Sequence, residues 1–206
     1  MKNNTESILT RHASLDVSAR AAAATARAIE AADRSGMVDI GFKRIDSPVG
    51  SLLLAATSKG LIKVAFANQD TDEVFSTMAA RISPRILELP ERLDGPHRQL
   101  DEYFAGKRHG FDITLDWALV KTEFQRGVLT ATARIPFGSS STYRDVATHA
   151  GNAKAVRAAG TALGANPLPV VVPCHRVLRS DGSAGGFGGG LERKAFLLEL
   201  ERQKTG

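Results

Sequence analysis

A chain of 206 residues with 43% hydrophobic content can bury a core as one large or two small domains, which excludes a disordered tail. A single cysteine excludes an intrachain disulfide and any multi-cysteine zinc site, and it points to a reducing compartment, the cytoplasm. The net charge of +5 is uneven: Lys and Arg against Asp and Glu number five each in residues 1–40, ten to eleven in 41–120, and twelve to six in 121–206, so the excess that suits a polyanion lies in the last segment.

No apolar run approaches a membrane span, and Lys2, Asn3, Asn4 and Glu6 interrupt any signal core, so export is not expected. Residues 18–32 are alanine-rich and helix-forming but carry few large apolar anchors, as in a marginal helix or an adaptor tail. Ser35-Gly36 ends that pattern. Phe42–Ile45, Ser51–Ala56 and Leu61–Phe66 read as strands joined by turns at Ser47-Pro48-Val49-Gly50 and Ser58-Lys59-Gly60, an antiparallel meander. Helices follow at Thr71–Ile82, with Phe75, Met78, Ala79 and Ile82 as its stripe, and at Pro96–Phe104, which Gly106 closes. Phe111–Leu115 is expected to return as a strand.

From Thr122 the pattern changes to short helices separated by glycine and proline. Phe124–Ala133 is helical, Pro136-Phe137-Gly138 turns, and Ser141 is placed to cap a helix through Ala150. After Gly151-Asn152, a small-residue helix over Ala153–Leu163 carries Lys154 and Arg157, and the pair has a helix-turn-helix pattern. Ser180–Gly190 contains six glycines and reads as a loop or wing; it lacks the lysine of a phosphate-binding loop. The last helix, Leu191–Arg202, is expected to turn Ala195, Leu197 and Leu198 toward a core. The five histidines form no ligand-spaced cluster, so neither a metal nor another cofactor is expected.

The chemistry centres on Pro173-Cys174-His175-Arg176-Val177. Basic neighbours raise the thiolate fraction of a cysteine, which makes Cys174 a candidate nucleophile; the alternative is a small buried hydrophobe. Sequence neighbours do not face one another on a helix or strand, so a water rather than a direct bond is expected between Cys174 and His175. Glu201, four residues after Leu197, places a carboxylate beside the apolar stripe of the last helix, where it needs a partner. An imidazole suits it: Glu201 would fix the His175 tautomer and stabilise the imidazolium.

With Gly164-Ala165-Asn166-Pro167-Leu168-Pro169 before it and Gly188-Gly189-Gly190-Leu191-Glu192-Arg193-Lys194 after it, this block resembles the methylated-DNA:protein-cysteine methyltransferases, which repair O6-alkylguanine. The likeness runs from about Thr122 to Glu201, and more loosely from Ser47 to Phe66. It implies an α+β fold: after an N-terminal extension (1–38), a small ribonuclease-H-like domain (39–117), then a helical winged-helix-like DNA-binding and catalytic domain (121–206). It implies that Cys174 accepts the alkyl group, that His175 is a water-linked base oriented by Glu201, and that Asn166 braces the active-site turn. Tyr143 would help rotate the nucleotide and donate a proton toward guanine. Arg157 would fill the gap left in the duplex, on a helix whose Ala153, Ala155, Ala158, Ala159 and Gly160 allow close approach to the minor groove. The expected partner is double-stranded DNA carrying O6-alkylguanine, or O4-alkylthymine, bound by a monomer able to cooperate along DNA.

Phe187 stands where many relatives have tyrosine, and Ser139-Ser140-Ser141 replaces the usual acidic-polar approach to the tyrosine. Residues 1–38 have no counterpart, and the cysteine cluster of the fused adaptive-response regulators is missing. Two rival readings are a non-catalytic alkyl-lesion binder, which would lack the cysteine, and a cysteine hydrolase using Cys174 and His175.

Overall fold

The computed structural model describes residues 20–205, apart from 22 and 26, and the chain divides between Val38 and Asp39 into two compact units. In the first, α1 lies between residues 20 and 34 and ends where Gly36 adopts φ +70°. Positions 18 and 19 of the expected alanine-rich helix lie outside the described residues.

In the second unit, β1 (Ile40–Ile45), β2 (Leu52–Thr57) and β3 (Gly60–Phe66) form the expected antiparallel meander. A short strand, β4 (Ile86–Glu88), joins β1 in parallel and gives the order β3-β2-β1-β4. Between Pro84 and Pro90 it is too short for its alternation to be read from sequence. β2 is apolar from Leu52 to Ala56 because both faces of the sheet are covered: Leu52, Leu54 and Ala56 point into the larger core, Leu53 and Ala55 into a smaller one. A bulge opposite Ala55/Ala56 inverts the alternation within β3, sending Leu61 and Val64 to the larger core and Ile62 and Ala65 to the smaller.

Helix α2 (Thr71–Arg81), capped by the Asp70 side chain, covers the smaller core with Val74 and Met78. Helix α3 (Asp94–Phe104) starts two residues before the expected Pro96 and delivers Leu100 and Tyr103 to the larger core. The strand expected over Phe111–Leu115 is a single bridge, Leu61 to Leu115. The β3 edge has no room for more: Leu61 bonds Thr114 and Asp116, and farther along the Val64 N–H donates to the Pro167 carbonyl. Gly60, at φ +144°, permits the first contact, because a Cβ there would lie 2.3 Å from the Thr114 oxygen.

Three helices build the basic half: α4 (Glu123–Ala133), α5 (Tyr143–His149) and α6 (Val156–Gly164). The cap of α5 is Thr142 rather than Ser141, in a reciprocal capping box with Asp145. Ser141 and Thr142 instead form β5, parallel to β6 (Val177–Leu178). The expected start of α6 at Ala153 is corrected to Val156, because Asn152 Oδ1 accepts the Lys154 N–H and holds a local turn. Ser180–Gly190 is irregular as expected, and α7 (Leu191–Thr205) closes the fold.

Candidate active site

Three prolines, Pro167, Pro169 and Pro173, remove backbone donors around Val170-Val171-Val172 and prevent that β-branched run from pairing as a strand. It folds into a buried turn instead, with Val172 N–H bonded to Leu168 O and Val170 at φ +73°, a costly conformation for a β-branched residue. Asn166 holds this turn. Its Oδ1 accepts from Leu168 N–H at 2.9 Å, and its Nδ2 donates to Val172 O at 2.9 Å and to Cys174 Sγ at 3.2 Å. The expected brace is in contact with the sulfur itself.

Cys174 and His175 lie in a 3-10 turn, Cys174–Arg176, with the thiol 6% exposed and the imidazole wholly buried. Burial pushes the thiol up to about 11, against the hydrogen bond from Asn166 and the positive charge of Lys194. Desolvation thus outweighs the basic neighbours expected to raise the thiolate fraction, and the sulfur needs a base, the part expected of His175. His175 Nε2 lies 2.8 Å from Glu201 Oε1. Burial would raise the Glu201 carboxyl, but hydrogen bonds from His175, Arg176 and Tyr103 overcome it and hold the group at about 2. An ionised carboxylate only accepts, so His175 Nε2 carries the hydrogen and Nδ1 keeps a bare lone pair. Nδ1 is buried and has no hydrogen-bond partner among the described residues. Burial also lowers the basicity of His175 against the pull of Glu201, which keeps the ring neutral at neutral pH.

Of the residues around Glu201, His175 is the expected partner, Arg176 is expected only as a basic neighbour of Cys174, and Tyr103 and Gly138 are not singled out as partners in the sequence. Arg176 donates through Nε and Nη2 to the carboxylate, Tyr103 donates its hydroxyl to Oε1 at 2.6 Å, and Gly138 N–H reaches Oε2 at 3.1 Å. On α7 the buried face is Lys194, Leu197 and Glu201, a spacing of three and four residues that the sequence does display. Lys194 bonds the carbonyls of Val177 and Gly185, and the expectation that Ala195 faces the core is corrected, since it is exposed. Two charged groups occupy a face that the hydrophobic pattern assigned to apolar residues.

The β5–β6 pair ties the strand before Tyr143 to the strand after Cys174 and so brings the tyrosine to the site. Its ring lies between α6 and the glycine loop: a Cβ on Gly160 would be 3.8 Å from the ring and one on Gly185 2.1 Å from the hydroxyl. Burial, and then the negative charge that Cys174 gains on losing its proton, push the Tyr143 hydroxyl above its ordinary value, so it stays a proton donor. Phe187 stands edge-on to His175, with ring centroids 6.4 Å apart, and to Phe66, 5.7 Å apart. On α6, Arg157 and Ala158 are exposed and Ala155 and Gly160 half-buried, whereas Ala159 is fully buried and packs in the core rather than on the outer face. Among the described residues no His, Cys, Asp and Glu cluster is arranged to hold a metal ion, and no helix is long and apolar enough to cross a membrane.

Residues 41–117 match the family model of the ribonuclease-like domain of 6-O-methylguanine DNA methyltransferase, and residues 123–203 match that of its DNA binding domain. The methylated-DNA–protein-cysteine methyltransferase of Mycolicibacterium paratuberculosis is 40% identical over 166 residues, covering 81% of this chain and 94% of the relative. The inducible methylated-DNA–protein-cysteine methyltransferase of Bacillus subtilis is 38% identical over 153 residues, covering 74% and 84%. The crystal structure of Mycobacterium tuberculosis O6-methylguanine methyltransferase aligns with a TM-score of 0.70 at 36% identity, covering 80% of this chain and 94% of that one. A structure of Mycobacterium tuberculosis OGT in complex with DNA gives the same score. With a buried thiol, a neutral histidine and an ionised glutamate in one site, and both halves matched, this chain belongs to the O6-methylguanine DNA methyltransferase family.

Proposed function

We propose that this protein repairs DNA directly, moving the alkyl group of O6-alkylguanine, and of O4-alkylthymine, onto Cys174. The observation that carries this reading is the protonated, buried thiol one residue from a neutral imidazole whose Nε2 is engaged by Glu201 and whose Nδ1 is bare. A lesion oxygen lies inside the paired helix, so the nucleotide must leave the stack before a buried sulfur reaches it. Arg157, exposed on the first turn of α6, enters the vacancy, and Ala155, Ala158 and Gly160 let the helix backbone approach the minor groove.

Through one water, His175 Nδ1 takes the thiol proton, and Glu201 stabilises the imidazolium. The thiolate attacks the alkyl carbon in line: the S–C bond forms, the C–O bond breaks, and the electron pair passes into the guanine ring. Tyr143 donates a proton to the departing base and recovers one from the site, so the thiol proton ends on guanine. Lys194 supplies positive charge beside the developing thiolate. The product thioether is a poor leaving group, so each molecule acts once. The protein works as a monomer in the cytoplasm, where its single thiol stays reduced, and binds cooperatively along DNA.

Incubation with duplex DNA bearing O6-methylguanine followed by intact-mass measurement tests this. One methyl gained on Cys174, and none in Cys174→Ala, is expected. Repeated turnover with an unmodified cysteine, as a hydrolase would give, or binding without transfer, would overturn it.

A further inference from the structure

We infer that Tyr103, on a helix of the ribonuclease-like half, is a positioning residue for the alkyl-transfer site: its hydroxyl, with the Arg176 guanidinium, holds Glu201 Oε1 against His175 and sets how strong a base His175 is. The inference rests on the repair reading above.

The Tyr103 ring lies among Phe104, Phe111 and Phe137, with centroids 5.4, 5.3 and 5.9 Å away. A phenylalanine would fill that space equally well. The hydroxyl adds a buried polar group that costs stability unless it is bonded, and here it bonds Glu201 Oε1 at 2.6 Å, across 98 residues of sequence. Oε1 also receives Arg176 Nη2 at 2.8 Å and His175 Nε2 at 2.8 Å. Arg176 Nε reaches the same oxygen at 3.2 Å, so donors from Tyr103, Arg176 and His175 divide the charge of one oxygen that has two lone pairs. Only part of that charge serves the imidazole.

The other groups facing this pair act in the same direction. Gly138 N–H, in the turn after α4, reaches Oε2, and Arg176 and Lys194 add positive charge that disfavours an imidazolium. His175 thus rests neutral with Nδ1 able to accept a proton. Removing the Tyr103 donor concentrates the charge of Oε1 on His175, which then keeps a proton to higher pH. Tyr103 itself is held above its ordinary value, by burial first and then by the Glu201 charge, and remains a donor throughout.

The test is Tyr103→Phe in the full chain, read by single-turnover methyl transfer against pH and by NMR titration of the His175 ring. The acid limb of the rate profile and the His175 midpoint should rise together by about 0.5 to 1 unit. A uniform rate loss with an unmoved His175 midpoint, or no change in either, would overturn the inference. If the variant fails to fold, the unsubstituted protein decides: its Tyr103 hydroxyl proton should be protected from exchange and should shift as His175 titrates. A hydroxyl proton exchanging freely with water overturns the proposal. Failure of the unsubstituted protein to methylate Cys174 would defeat the repair reading, and the His175 titration still reads out Tyr103.

Discussion

Cys174 shows how far burial can reverse the effect of charged neighbours. Its raised value of about 11, against an ordinary 9, means that the native state keeps a proton that the unfolded chain loses. That contribution to stability is complete below pH 9 and disappears as pH rises to about 11. Across that window the protein should lose about 3 kcal/mol that Cys174→Ala retains, measured by urea unfolding at each pH; parallel losses in both proteins would show that the thiol is not buried as described. The residues that carry reactive atoms were legible because their types are rare in such a setting: one cysteine, an adjacent histidine, a carboxylate beside an apolar stripe. The bonds that Tyr103 and Arg176 make to Glu201 were not, because a buried donor to a carboxylate looks in sequence like an ordinary aromatic or a solvated charge. Their role appears only when three segments meet at Glu201.

At the scale of elements, hydrophobic periodicity located the meander and most helices, while local hydrogen bonds chose their ends. Thr142 rather than Ser141 caps α5, and Asn152 delays α6, because side chains compete for the same backbone N–H groups. A three-residue strand and a one-bridge segment leave no periodic trace. The contact between α5 and the glycine loop makes a firm prediction. Gly185→Ala would place a methyl 2.1 Å from the Tyr143 hydroxyl, so the ring must move and single-turnover repair should slow on the order of 100-fold. An unchanged rate would remove Tyr143 from the chemistry. On α6, Arg157→Ala should slow repair of duplex DNA by about tenfold or more while leaving attack on free benzylguanine intact, and equal losses on both substrates would reject its insertion into the duplex.

Across the whole molecule, the two family-matched segments share one core: Leu52, Leu54, Val64, Phe66 and Tyr103 pack in the same cluster as Val128, Leu163, Val172 and Leu197. Arg193 adds to the join, donating to Val49 O at 2.7 Å and lying over Phe66. Residues 121–206 expressed alone should therefore lack cooperative thermal unfolding and dispersed NMR signals; a well-folded fragment would contradict the shared core. Sequence texture divided the chain near residue 120 by charge and helix length, but packing does not follow that division, since apolar contact is indifferent to net charge. The buried thiol also has a consequence for how long the protein lasts. Peroxides and small electrophiles consume thiolates, and a sulfur stored with its proton, 6% exposed, offers them little. On the proposed repair reading, a thiol kept in this state outlasts passing oxidants and is still intact when a damaged base reaches it.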